Sequence, residues 1–182
     1  MKKSILLFAL VAVTSASFAQ KKLTTTSAII NFDATTSLDN LPKADNKTVV
    51  ASIDPKTGAI AFEANIKSFS FSNPRMQEHF NNAGWMYSEK FPTATFKGKL
   101  ANPSDVNFKK DGSYTSEVTG QLTMHGETNP VTSTATFVIK GKTITASTDF
   151  TVQLADYKIN GGAVGAGKVA KDPKVSVTAV FN

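Results

Sequence analysis

Apolar and polar residues alternate with a period of two over most of the chain, the pattern of strands with one buried face. Ala28, Ile30 and Phe32 give a first strand after a polar stretch, Gln20 to Thr26, that reads as a frayed end. A loop from Asp39 to Lys47 containing Pro42 precedes a second strand, Thr48 to Ile53. Asp54-Pro55-Lys56-Thr57-Gly58 is a turn, with proline presetting φ and glycine supplying a positive one. Ile60, Phe62, Ala64 and Ile66 share one face of a third strand. At Ser68-Phe69-Ser70-Phe71 the apolar parity flips, which requires a bulge or a strand that leaves the sheet.

Phe69 to Phe96 stands apart from this alternation. Asn73-Pro74 is a helix-start signal, because proline's fixed φ suits the first helical position and its missing N–H costs nothing there. Met76, Phe80 and Ala83 then fall at i, i+4 and i+7, one face of a short helix that Gly84 is expected to end. Phe91-Pro92 returns the chain to extended structure. A short helix carrying Met76, Phe80, Trp85, Met86 and Phe91 nearby has to cover something, and the sequence predicts the lid or plug of a barrel.

Alternation resumes with Ala94, Phe96 and Leu100, then with Tyr114, Val118, Leu122 and Met124. Val131, Ala135, Phe137 and Ile139 follow a turn at His125-Gly126-Glu127-Thr128. Gly141-Lys142 is a two-residue hairpin loop leading to Ile144, Ala146, Phe150, Val152 and Leu154. A glycine-rich loop, Asn160 to Lys168, precedes a last strand of Val175, Val177, Ala179 and Phe181. The fold class is therefore all-β: about eight antiparallel strands in a meander, with one short helical crossing. Such a sheet buries its apolar face in a sandwich or by closing into a barrel, and closure also removes the edges. The inward face mixes large side chains with small ones such as Ala64, Gly98, Gly120 and Ala146. The small positions either interleave with the large ones or open a cavity; periodicity does not choose.

The first residues change the picture. Lys2 and Lys3, the apolar run Ile5 to Val13 and Ser17-Phe18-Ala19 have the layout of a signal peptide cleaved after Ala19. That leaves residues 20–182 as one exported domain, periplasmic or secreted. The chain has no cysteine, which excludes disulfides and thiolate chemistry. Without Lys2 and Lys3, 18 basic and 14 acidic residues remain, with the lysines spread over exposed strand faces. Nucleic-acid binding is not expected from that distribution. Transient contact with a membrane surface and a homodimer both remain compatible with it.

Catalytic patterns are lacking. His79 and His125 are the two histidines, and neither lies in a metal-ligand spacing such as H-E-x-x-H. No G-x-S-x-G elbow occurs. Gly162-Ala163-Val164-Gly165-Ala166-Gly167 lacks the βαβ unit that turns a glycine-rich loop into a phosphate cradle, so it reads as a rim loop. No enzyme activity, metal or cofactor is expected.

Three ordered stretches resemble the YceI-like family: Asn73-Pro74-Arg75-Met76-Gln77-Glu78-His79-Phe80, Glu89 to Phe96, and Val118-Thr119-Gly120-Gln121-Leu122-Thr123-Met124-His125-Gly126-Glu127-Thr128. Asp149-Phe150 and Asp156-Tyr157-Lys158-Ile159 resemble a later family segment. Histidines carried by the front strands of better-known members have no counterpart between Asn31 and Lys47. The resemblance implies a lipocalin-like, up-and-down barrel whose apolar pore binds, transports or sequesters a polyprenyl or quinone tail without catalysis. Carried over, it implies pore positions at Phe69, Phe71, Met76, His79, Phe80, Trp85 and Met86 on the helical side. Phe96, Leu122, Phe137 and Phe150 would line the strands, and Arg75, His125 or Lys158 would meet a head group. Two other readings share the pattern. One is a secreted structural or interaction domain with a filled core. The other is an outer-membrane barrel, disfavoured by the helix, by the lack of aromatic girdles and by Asn182 after Phe181.

Overall fold

The computed structural model describes residues 22–182, so the proposed signal peptide and its cleavage site lie outside the described residues. In chain order the elements are β1 (Leu23–Asp33), β2 (Lys43–Ile53), β3 (Ala59–Asn65), β4 (Ser70–Phe71), α1 (Pro74–Asn81) and β5 (Thr93–Leu100). They continue with β6 (Gly112–Met124), β7 (Glu127–Lys140), β8 (Thr143–Thr151), α2 (Gly162–Gly165) and β9 (Lys174–Phe181). All pairings are antiparallel, and β1 pairs with both β9 and β2. The sheet thus closes as a barrel of eight strands, with β4 as a short ninth strand against β2.

Inside and outside follow the alternation. Ala135, Phe137 and Ile139 of β7 are buried, while Thr132, Thr134 and Lys140 are exposed. The apolar face points inward throughout, the reverse of a barrel that presents apolar side chains to lipid. Among the described residues no helix is long and apolar enough to cross a membrane. At the end of the barrel where β9 finishes, Ile53, Leu100, Ile139 and Phe181 are almost completely buried and form a floor. Phe108, from the segment between β5 and β6, packs edge-on against Phe137 at this end, with ring centroids 5.8 Å apart.

The parity flip has a definite cause. After β3 the chain makes a 3-10 turn at Ile66–Ser68 and then rejoins β2 as β4, where Ala44 faces Phe71. β3 and β4 are one strand position interrupted by that turn. The break frees the Asn65 carbonyl, and the fully buried Asn46 donates to it from Nδ2 at 2.9 Å. Asn46 Oδ1 in turn accepts from the Thr48 backbone and hydroxyl, so both ends of a buried amide are paired.

Six boundaries differ from the sequence reading. β2 starts at Lys43 and not at Thr48, because Lys43 to Asn46 pair with the end of β1. β7 starts at Glu127, since Glu127 and Thr128 pair with Met124 and Thr123 and leave only His125-Gly126 in the turn. β1 starts at Leu23 because Thr24 and Thr25 pair with Ser52 and Ala51; β-branched threonines serve a strand well even where they stay wet. α1 stops at Asn81, three residues before Gly84. The Met86 and Ser88 N–H groups there donate to the Phe80 and Asn81 carbonyls, and Ala83 is exposed. β8 ends at Thr151, and Leu154 lies in a 3-10 turn, Leu154–Tyr157. The glycine-rich loop holds the single helical turn α2.

Candidate functional site

α1 is built to cross the open end of the barrel. Asn73 caps it by accepting from the Arg75 N–H at 2.9 Å, with Pro74 at the first helical position. Gln77 Oε1 accepts from the Phe71 N–H at 3.1 Å, which fastens the helix to β4. Its buried residue, Phe80, sits among three other rings: Phe71 at 4.9 Å, Phe69 at 5.6 Å and Phe32 at 6.2 Å between centroids, all tilted. Tilted pairs of this kind each add about 0.5–1.5 kcal/mol beyond the area they bury. The cluster locks the crossing onto the rim.

Three cavities lie in succession beneath and beside this crossing. The mouth cavity, about 140 Å³, is lined by Phe71, Met76, His79, Phe80 and Trp85 on one side and by Ala163, Lys168 and Val169 on the other. Asp39 and Pro42 complete its rim. The upper cavity, about 100 Å³, shares Phe32, Phe80 and Trp85 with the mouth. Its other walls include Phe69, Met86, Leu122, Phe150 and Val177, and every lining residue is apolar. The inner cavity, about 60 Å³, shares Phe150 and Val177 with the upper one and reaches down to Ile53 and Phe181. The passage is thus neither an open tunnel nor a solid core. Aromatic partitions divide it into chambers, each smaller than the roughly 150 Å³ void that holds one benzene in an apolar protein interior.

Glycine shapes the inner chamber. Gly98 and Gly120 face each other across β5 and β6. The Phe96 ring lies over both, so that a methyl group on Gly98 or Gly120 would stand 2.6 or 2.5 Å from its Cζ. Without that glycine pair the ring would be pushed into the chamber. Polar groups there are few. Ser133 and Thr148, whose hydroxyl oxygens are 2.9 Å apart, form one inward pair, and Thr148 also donates to the Thr134 carbonyl at 2.9 Å.

Trp85 is the hinge between chambers and rim. Its indole packs against Gly161, where any side chain would meet Nε1 at 2.9 Å. This brings the crossing against the loop that carries α2. Phe69, Phe71, Met76, His79, Phe80, Trp85, Met86, Phe96, Leu122, Phe137 and Phe150 all stand on the walls of the three cavities.

The three head-group candidates stand elsewhere. Arg75 is exposed on α1 and lines no cavity described above. His125 occupies the β6–β7 turn with φ of 51°, and its Nδ1–H donates to the Tyr157 carbonyl at 2.8 Å. Phe91 closes on the same imidazole with ring centroids 4.9 Å apart. Lys158 pairs with Glu127 on the surface. Together with the bond from Asn129 Nδ2 to the Asp156 carbonyl, these contacts pin the segment after β8 to the β6–β7 hairpin. Polar groups at the mouth come instead from Asp39, His79 and Lys168. Asp39 and Lys168 belong to separate loops that only the closed barrel brings together, so no sequence pattern marks them. Among the described residues no group of three or more His, Asp or Glu side chains could hold a metal ion.

Comparison with known proteins agrees with this architecture. The family model for the YceI-like domain matches residues 11–181. UPF0312 proteins from two Pseudomonas putida strains are 31% identical over 137 residues, covering 71% of this chain and 66% of their own length. The match thus spans just under two thirds of those relatives. Among solved structures, a polyisoprenoid binding domain from Saccharophagus degradans superposes with a TM-score of 0.74 at 11% identity, covering 88% of this chain and 97% of its own. Burkholderia cenocepacia BcnA gives 0.71 at 19% identity, with 85% and 96% covered. A Campylobacter jejuni YCEI protein gives 0.53 at 16% identity, with 100% and 91% covered. At those identities the structures share the fold.

Proposed function

The chain belongs to the YceI-like family, and from that membership and the apolar passage we propose that it binds an isoprenoid-type lipid, tail inside the barrel and polar end at the mouth. The observation that carries this reading is the upper cavity. It is walled on every side by apolar residues, and only side chains such as Phe80 and Trp85 separate it from a rim bearing Asp39, His79 and Lys168. An isoprenoid tail offers only apolar surface. Burying it gains about 25 cal/mol per Å² without any hydrogen bond. The side chains that would have to shift to join the chambers are Phe32, Phe80 and Trp85 at the mouth and Phe150 with Val177 below, while Met76 and Met86 on the walls can conform to a branched chain. The Saccharophagus degradans neighbour, a polyisoprenoid binding domain, supports the choice of ligand.

The role that suits such a site is carriage or sequestration without chemistry. His125 spends Nδ1 on a backbone carbonyl, and His79 is exposed at the rim with no nucleophile bonded to it. A signal peptide ending at Ala19 would put the protein in the periplasm or outside the cell.

Native mass spectrometry of protein purified without detergent tests the reading. A co-purified prenyl lipid, displaced on adding a prenyl quinone and accompanied by a change in Trp85 fluorescence, is the expected result. A barrel that stays empty, and whose Trp85 emission ignores every dispersed prenyl lipid, would overturn it. The partitions would then belong to a filled core, and the surface would serve a protein partner.

A further inference from the structure

We infer that the inner chamber is a ruler that limits the tail to about three or four isoprene units, the closed floor setting the length and Phe96 with Ala146 the width at its end. This inference rests on the isoprenoid reading above and adds a length to it.

The far end of the passage is closed. Leu100, Ile139 and Phe181 are each at most 2% exposed, and Phe108 packs edge-on against Phe137 at the same end. A tail entering past Trp85 therefore meets a wall of side chains that are already fully packed. Val175 lies on the wall of the upper cavity and Phe181 on the floor, six positions apart on β9. At about 3.3 Å per residue and a strand tilt of about 40°, that span is about 15 Å along the barrel axis. An extended isoprene unit, four chain carbons joined by bonds of about 1.5 Å, covers about 5 Å. In length, three units span the distance below the Phe80–Trp85 partition and a fourth reaches the mouth cavity; chambers of about 100 and 60 Å³ take them only as the side chains between them turn aside.

Width at the bottom depends on two residues. The Phe96 ring is held flat over Gly98 and Gly120, which keeps it out of the chamber. Ala146 faces the same space with the smallest side chain that a β-carbon allows. Enlarging Ala146 fills the chamber, and removing the Phe96 ring widens it.

The test is a ladder of prenyl alcohols, geraniol, farnesol, geranylgeraniol and octaprenol, titrated into the full domain and followed by native mass spectrometry and Trp85 fluorescence. Affinity is expected to rise through geranylgeraniol and to rise no further with octaprenol. Ala146→Leu should weaken geranylgeraniol about tenfold relative to farnesol. Phe96→Ala widens the bottom enough for the tail's end to fold back against the floor, so it should move the optimum toward longer chains, and it provides a reading even if Ala146→Leu fails to fold. Affinity that keeps climbing to octaprenol, or an optimum unmoved by either variant, would overturn the ruler and leave the lipid reading intact. A folded protein that takes no member of the ladder would instead overturn the lipid reading itself.

Discussion

His125 donates from Nδ1 to the main-chain carbonyl of Tyr157 at 2.8 Å, joining the β6–β7 turn to the segment that follows β8. The contact spans two elements that no ladder connects. His125→Asn keeps a residue that tolerates the left-handed turn conformation while removing the ring. Loss of the bond and of the Phe91 packing should cost about 1–2 kcal/mol, which lowers the melting temperature by about 2–8 °C in a domain of this size. Hydrogen exchange should quicken at Tyr157 to Ile159. Unchanged exchange there would mean that Asn129 and Lys158 hold the segment without the histidine.

Gly120→Ala should be far more harmful than an exposed glycine substitution. Its new methyl would stand 2.5 Å from the Phe96 ring and 2.5 Å from the Lys97 carbonyl oxygen. Overpacking at this scale costs about 1–3 kcal/mol. Adding Phe96→Ala relieves the ring but not the backbone contact, so chemical denaturation should show only partial rescue in the double variant. Full rescue would place the whole clash on the ring.

The legibility of this molecule divides along chemical lines. The strands of the barrel could be read because one buried face forces a period of two, as in Phe137 with Ile139. The crossing could be read because Asn73-Pro74 is a local signal. β4 could not, since two residues are held in place only by their pairing with β2 and by the reach of Asn46 to the Asn65 carbonyl. The wall positions were accessible because apolar parity and the family motifs point inward together. The polar rim was not. Lys168 and Asp39 meet through closure, and the occupation of His125 is visible only once Tyr157 is in place.

Two lysines separate the alternatives for the polar end of the proposed ligand. Lys158 is exposed and paired with Glu127, an arrangement worth at most about 1 kcal/mol. Lys158→Ala should leave the binding of a prenyl phosphate unchanged. Lys168→Ala, at the mouth, should weaken it several-fold and flatten its salt dependence, as calorimetry at two ionic strengths would report. The opposite ranking would move the head group to the β6–β7 hairpin.

Acid stability has an identifiable contributor in the β2–β3 turn. The Lys56 backbone N–H, 2.9 Å from Asp54 Oδ1, holds that carboxyl below its ordinary value against partial desolvation, with help from the Thr57 hydroxyl and N–H. A carboxyl with a lowered folded-state pKa adds stability above its unfolded value near 4, and the contribution disappears as pH falls through the folded value. Unfolding free energy should therefore be level from neutral pH down to about 5 and decline below about 4. Asp54→Asn, which retains the acceptor but cannot titrate, should make that decline shallower in denaturant titrations at successive pH values. An identical slope in both proteins would assign the acid sensitivity elsewhere.

The packed floor that includes Phe181 has a consequence for the carriage proposed above. Cargo lodged in a dead-end shaft cannot be pushed out from behind by its successor. On the proposed reading it would have to back out the way it came, polar end leading, before anything else went in. Donor and recipient would then have to visit the same end of the molecule, one after the other.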